Sequence, residues 1–165
     1  MANLSQGTGY AVQALAFVAA AAGKPMLVRT IAERCDLPAA FLAKVVNRLG
    51  KAGLVHTQRG INGGVTLTQN PDEITLFEVC QALEDPIVER RCILGVSECS
   101  DERACPAHEF HCSHRAIALE FLRNTTVADV AAFETSRSWG GQSQSKLTLN
   151  GSELASVDVV ERATG

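Results

Sequence analysis

Apolar residues recur at helical spacing through the first third of the chain. Ala11, Leu15, Val18 and Ala22, with Ala14, Phe17 and Ala21 beside them, predict a helix from about Gly9 to Ala22. Gly23 and Pro25 end it. Val28, Ile31, Ala32 and Cys35 make one stripe at i, i+3, i+4, i+7, so a short helix is expected over Val28 to Cys35. A turn at Asp36-Leu37-Pro38 follows, with Pro38 suited to a first helical position. The third helix then runs to about Ala52 and is stopped by Gly53, with Leu42, Val45, Val46 and Leu49 as its buried stripe.

The pattern then changes. Short strands are expected near Leu54–Gln58 and Val65–Thr68, joined by the glycine-rich run Arg59-Gly60-Ile61-Asn62-Gly63-Gly64. Thr75-x-x-Glu78 reads as a capping box opening a helix from Leu76 to Leu83, whose apolar face is Leu76, Val79, Cys80 and Leu83. A longer helix is expected from Pro106 to about Arg123, with Phe110, Ile117, Phe121 and Leu122 as its apolar stripe. Thr126-x-x-Asp129 caps a last short helix through Phe133. From Ser136 onward the composition turns linker-like.

Helix, helix, turn, helix and hairpin is the order of a winged helix-turn-helix. The expected fold class is therefore mainly α with a small β-hairpin, a winged helix-turn-helix domain followed by a long helix. The expected divisions are a winged domain over residues 1–84, a cysteine loop over 85–105, the long helix and a short one over 106–135, and a flexible tail over 136–165.

Charge sharpens this reading. The net charge is −3, which by itself does not suggest nucleic acid. Residues 24–59, however, carry seven cations (Lys24, Arg29, Arg34, Lys44, Arg48, Lys51, Arg59) against Glu33 and Asp36. Such asymmetry suits one segment facing a polyanion. Opposite the buried stripe of the third helix lie Ala40, Lys44, Asn47, Arg48 and Lys51. Lys44 and Arg48 suit phosphate or guanine, Asn47 suits adenine, and Ala40 is small enough for close approach to the bases. Arg59 at the glycine-rich tip suits the narrow minor groove. The simpler alternative is a solvated basic face beside a plain hairpin.

The strongest chemical signal is the spacing Cys92-x6-Cys99-x5-Cys105-x2-His108. A zinc ribbon pairs its cysteines more closely. These intervals suit a loop wrapped around an iron–sulfur cluster, which spreads its ligation over two or more irons. A zinc ion, or thiols with no cofactor, are the alternatives. Cys35 and Cys80 fall on apolar stripes and are expected in the core. Cys112, His111 and His114 lie beyond the motif and are expected to face solvent or a partner subunit. Hydrophobic residues make up 46% of the chain and charged residues 20%, a soluble globular balance. The apolar run Ala11–Ala22 has no preceding Lys or Arg, so it is read as a core helix rather than an export signal, and the chain is expected to be cytoplasmic, with no membrane partner. No nucleophile–base–orienter set is evident, so no enzyme is expected; a thiol-redox or electron-transfer protein is the remaining distant alternative.

Three stretches together resemble a known family. They are Gly53-Leu54-Val55 with Arg59-Gly60-x-x-Gly63-Gly64-Val65-x-Leu67, then Pro71-Asp72-Glu73-Ile74-Thr75-Leu76, and the cysteine loop ending in Cys105-Pro106-x-His108-Glu109. Leu4-Ser5 and Tyr10-Ala11-Val12 add to the likeness, which covers about Leu4 to Phe133. The chain resembles the Rrf-two family of winged-helix transcription regulators, the group of IscR, NsrR and RirA. The resemblance implies a homodimer paired through the long helix and seated on a palindromic double-stranded operator. It implies that Cys92, Cys99 and Cys105 ligate the iron of a cluster, with His108 as fourth ligand. A 2Fe–2S cluster is then favoured, and 4Fe–4S is the other option. The expected function is a cluster-dependent DNA-binding regulator, read as a repressor, responding to iron, redox or nitric oxide status. A cofactor-free member that senses through a protein partner or thiol oxidation is the second reading.

Overall fold

The computed structural model describes residues 4–60, 63–89, 91–92, 94 and 98–139. Six α-helices are described: α1 (Gln6–Ala20), α2 (Val28–Arg34), α3 (Ala39–Lys51), α4 (Leu76–Ala82), α5 (His108–Asn124) and α6 (Val127–Trp139). Strands β1 (Val55–Gln58) and β2 (Gly64–Leu67) form one antiparallel hairpin between α3 and α4. The fold is a winged helix-turn-helix extended by α5 and α6. No described helix is long and apolar enough to cross a membrane.

α1 is the central element. It touches α2, α3, α4, α6 and β2, which is why Ala11, Val12, Ala14, Leu15, Ala16 and Val18 are all buried. A helix packed on several sides shows little amphipathic contrast. It starts one turn earlier than its apolar stripe implies, because Ser5 caps it by accepting from the Thr8 N–H at 3.2 Å. Ala22 and Gly23, at φ of +49° and +82°, turn the chain out of it.

α3 buries Leu42, Val45, Val46 and Leu49, as its periodicity predicts. Pro38 is the residue before the helix rather than its first, and its carbonyl accepts from Leu42. The helix ends in a Schellman arrangement: Leu54 N–H bonds the Leu49 carbonyl, Gly53 N–H bonds that of Gly50, and Gly53 has φ +78°. This closure points the chain directly into β1. Val55 then pairs with Leu67 and Gln58 with Gly64. The hairpin is fastened to the body by a two-way bond between Met26 and Val65. A Cβ on Gly64 would lie 2.8 Å from the Met26 carbonyl oxygen, so only glycine permits this approach.

Both expected helix-opening boxes are present. Thr75 accepts from Glu78 N–H while the Glu78 carboxylate accepts from Thr75 N–H, and Thr126 and Asp129 do the same. Backbone bonds from Leu76 to Thr125 and from Val127 to Ile74 then tie the start of α4 to the α5–α6 turn. That seats α6 along α1, and α6 continues to Trp139 rather than ending at Phe133. The linker-like residues at the expected start of the tail are held helical by this docking. Residues 140–165, most of the expected tail, lie outside the described residues.

α5 differs from its expected stripe. Within the chain it buries Leu119 and Leu122, whereas Phe110, Ile117 and Phe121 are 57%, 67% and 60% exposed. Phe110, His114, Ile117 and Phe121 follow one another at i, i+4, i+7, i+11, so they share an outward face.

Where α4 gives way to the cysteine loop, Glu84 adopts φ +52° and Asp85 turns inward, 1% exposed. Its carboxylate accepts from Thr8 Oγ1 at 2.6 Å, Ser5 N–H at 2.9 Å and Ile87 N–H at 3.0 Å. Burial alone would raise this carboxyl; the bonds from Thr8, Ile87 and Ser5 outweigh it and hold the group below its ordinary value. A depressed folded value means that the stability it contributes is complete above the titration of an unfolded aspartate, about 3.9, and is lost as pH falls through the folded value. Asp85→Asn is therefore expected to destabilise the fold at neutral pH by about 1–3 kcal/mol, the cost of a buried donor left unmatched. The gap to the wild type should narrow as acid protonates the wild-type carboxylate, which thermal melts between about pH 3 and pH 7 would check.

Candidate metal centre and nucleic-acid interface

The cysteine loop is clamped onto one face of α5. Arg115 donates to the Val88 carbonyl at 2.9 Å and to that of Glu89 at 3.3 Å. His111 Nε2 donates to the Arg91 carbonyl at 2.9 Å, and His108 N–H bonds the Cys105 carbonyl at 2.8 Å. His108, His111, Cys112 and Arg115 sit at i, i+3, i+4 and i+7, the face opposite Ile117 and Phe121. Beyond Cys99 the chain makes a single 3-10 turn at Asp101–Arg103 before reaching Cys105.

His108 is the hub. Its Nδ1 lies 3.3 Å from Cys99 Sγ, and its Nε2 lies 2.9 Å from Asp101 Oδ1 and 3.6 Å from Cys112 Sγ. The half-buried Cys99 thiol is pushed above its ordinary value, first by desolvation, then by the neighbouring Cys112 thiol, and then by Cys92 and Cys105. All four thiols thus stand close enough for each to be felt at Cys99. The tightest set of donors, however, is Cys99, His108 and Cys112, all within 4.8 Å of one another. Cys92 and Cys105 are half-buried beside that set, and no cysteine is in a disulfide. The donors suit a soft or borderline metal or an iron–sulfur cluster, since thiolate and imidazole are the ligands both accept.

Two residues beyond the motif take part in the site. Cys112 is exposed, as expected, and also belongs to the donor group. His111 grips the loop backbone next to Cys92. Their four-residue and three-residue spacing from His108 is the signal that places them beside it. His114, by contrast, is exposed and stacks on Phe110 with ring centres 3.9 Å apart. Cys80 is fully buried, its thiol pushed up to about 12 by desolvation and then by Asp85. Cys35 is half-buried against the core, raised by desolvation and then by Glu134.

On α3, Ala40, Lys44, Asn47, Arg48 and Lys51 all lie on the exposed face. Arg59 is exposed where the hairpin tip begins; Ile61 and Asn62 of that tip lie outside the described residues. Arg48 is not simply solvated. Its Nη2 pairs with Glu84 at 2.9 Å, one residue before the buried Asp85. Tyr10 on α1 packs edge-on against Phe41, bracing the start of α3 with ring centres 5.9 Å apart.

Comparison with known proteins agrees with this architecture. A family profile described as Rrf2, iron-dependent transcriptional regulator, matches residues 4–132. A protein of Aquifex aeolicus bearing a provisional name as an HTH-type transcriptional regulator is 31% identical over 76% of this chain and 88% of its own length. The HTH-type transcriptional regulator IscR of Sodalis glossinidius is 32% identical over 76% of each chain. Among solved structures, CymR, the global cysteine regulator of B. subtilis, superposes with a TM-score of 0.67 at 29% identity, covering 81% of this chain and 98% of that one. The winged helix, the loop clamped on α5 and these matches together make the chain a member of the Rrf2 family of DNA-binding transcription regulators.

Proposed function

We propose that this regulator is controlled by an iron–sulfur cluster held by Cys92, Cys99, Cys105 and His108. The observation that carries the reading is the gathering of the loop thiols around Cys99, with the His108 imidazole 3.3 Å from its sulfur. Thiolate and imidazole donors brought together in this way suit a positively charged partner that neutralises them together. When bound, the cluster would supply redox, iron or nitric oxide sensitivity; a 2Fe–2S form suits a Cys3His set. Asp101, bonded to the far nitrogen of His108, would fix the ring's orientation as carboxylates do behind ligating histidines.

The chain's own residues connect that loop to DNA. Arg115 and His111 hold its first half on α5, and Asp85 fixes its beginning to the start of α1. Glu84, next to Asp85, holds Arg48 of α3. A change in the order of the loop is therefore felt one step from the recognition helix. Lys44, Asn47, Arg48 and Lys51 would contact phosphates and base edges in the major groove, with Ala40 permitting close approach and Arg59 reaching the minor groove. The exposed face of Phe110, Ile117 and Phe121 on α5 supports a homodimer that sets two such units on a palindromic operator about 34–36 Å apart. Repression, relieved or imposed by the state of the loop, is the regulatory sense we favour. A second reading, cofactor-free sensing by thiol oxidation, draws on the contact between the Cys99 and Cys112 thiols.

Protein purified without air should be coloured and contain iron and sulfide. Replacing Cys92, Cys99 and Cys105 together by Ala should remove both and change operator affinity at least about tenfold, or roughly 1.4 kcal/mol, in a fluorescence anisotropy titration. Colourless, iron-free wild-type protein would refute the cluster. Unchanged affinity in the triple variant would favour the second reading. Separately, Ile117→Glu should yield monomers in analytical ultracentrifugation while circular dichroism retains the helical signal. The same variant should lose the tight binding that two linked half-sites give.

A further inference from the structure

We infer that Cys99, His108 and Cys112 form a binding site for a single divalent cation of the zinc class, distinct in its ligands from the Cys92–Cys99–Cys105 set. Two thiolates and an imidazole are the donors that such a borderline-soft ion prefers. The three donor atoms already lie within 4.8 Å of one another. Around a tetrahedral zinc ion, with bonds of about 2.0–2.3 Å, they would stand about 3.5–3.8 Å apart. His108 Nδ1 and Cys99 Sγ are already at 3.3 Å, while Cys112 Sγ lies 3.6 Å from the other ring nitrogen, Nε2; the remaining adjustment is a turn of the exposed Cys112 to the Nδ1 side, which leaves the core undisturbed. His108 and Cys112 are one helical turn apart on α5, a rigid spacing that needs no folding of the loop to bring them together. Asp101 at 2.9 Å from His108 Nε2 supplies the carboxylate that commonly stands behind a ligating histidine. The set opens onto a groove of about 1100 Å³ along α5, which leaves a fourth position accessible to water or a small ligand.

The site goes beyond the proposed cluster and does not require it. Cys99 and His108 belong to both ligand sets, so the two occupants exclude each other. A zinc-class cation captured here would withdraw two donors from the loop, and the regulator would respond to the availability of that metal as well as to its cluster.

The test is a cobalt(II) titration of the full-length, reduced, metal-free protein without air, followed by absorbance. One cobalt should bind, with tetrahedral d–d bands and a thiolate-to-cobalt charge-transfer band. Cys112→Ser should remove about half of the charge-transfer intensity, as two thiolates become one, and weaken binding at least about tenfold. The double variant Cys92→Ser/Cys105→Ser should keep the wild-type cobalt spectrum. The inference is overturned if wild-type protein gives no tetrahedral cobalt spectrum, if Cys112→Ser binds cobalt as the wild type does, or if the double variant loses the site. Iron and sulfide analysis of protein isolated without air reads the cluster independently. Iron-free wild-type protein would remove the cluster proposal while the cobalt spectra still decide this one.

Discussion

The buried carboxylate of Asp85 is the constraint on which the rest of the molecule turns. It joins the cap of α1 at Ser5 and Thr8 to the junction, some eighty residues on, where α4 ends and the cysteine loop starts at Ile87. A carboxylate that is 1% exposed is tolerated because three donors meet it. The exit direction of the loop is therefore fixed relative to the central helix. With the loop's origin fixed, Arg115 and His111 on α5 can hold its backbone, and His108 can meet Cys99. The cysteine and histidine donors are thus mounted on a rigid helix at one end and on an anchored turn at the other.

Much of the winged domain was legible because its elements are local. Leu42, Val45, Val46 and Leu49 repeat at helical spacing and are buried, and Thr75 with Glu78 announces a helix start that the backbone adopts. Cysteine spacing singled out the loop, and of that set Cys99 and His108 meet directly. What escaped was set by long-range packing. Nothing local marks Asp85 as buried, since two of its three donors, Ser5 and Thr8, lie some eighty residues away. α6 runs on to Trp139 because α1 gives it a surface, although its last residues read as linker. Cys112 and His111 are expected from position to face solvent or a partner subunit; Cys112 is exposed, but helical register with His108 and Arg115 brings both beside the loop.

α5 has two faces with different tasks, and a simple count of apolar residues blends them. Leu119 and Leu122 attach the helix to its own domain, while Phe110, Ile117 and Phe121 stay exposed. Exposed large apolar residues in a continuous stripe usually mark an interaction surface. His108, Cys112 and Arg115 continue the Leu119 and Leu122 face toward the start of the helix, opposite Ile117 and Phe121. A helix that meets its own domain and the cysteine loop along one face transmits strain between them, because a packed helix moves as a unit.

The pair formed by Arg48 and Glu84 has an electrostatic consequence of its own. A guanidinium that shares one Nη2 with a carboxylate at 2.9 Å keeps its other donors but presents less net positive charge to a phosphate. The effective positive charge of the recognition surface therefore depends on where the hinge before Asp85 holds Glu84. Each phosphate neutralised releases condensed counterions and adds about 0.9 to the slope of log affinity against log salt concentration on duplex DNA. The number of ions released on docking to duplex DNA, and not affinity alone, is therefore a gauge of where Glu84 is held.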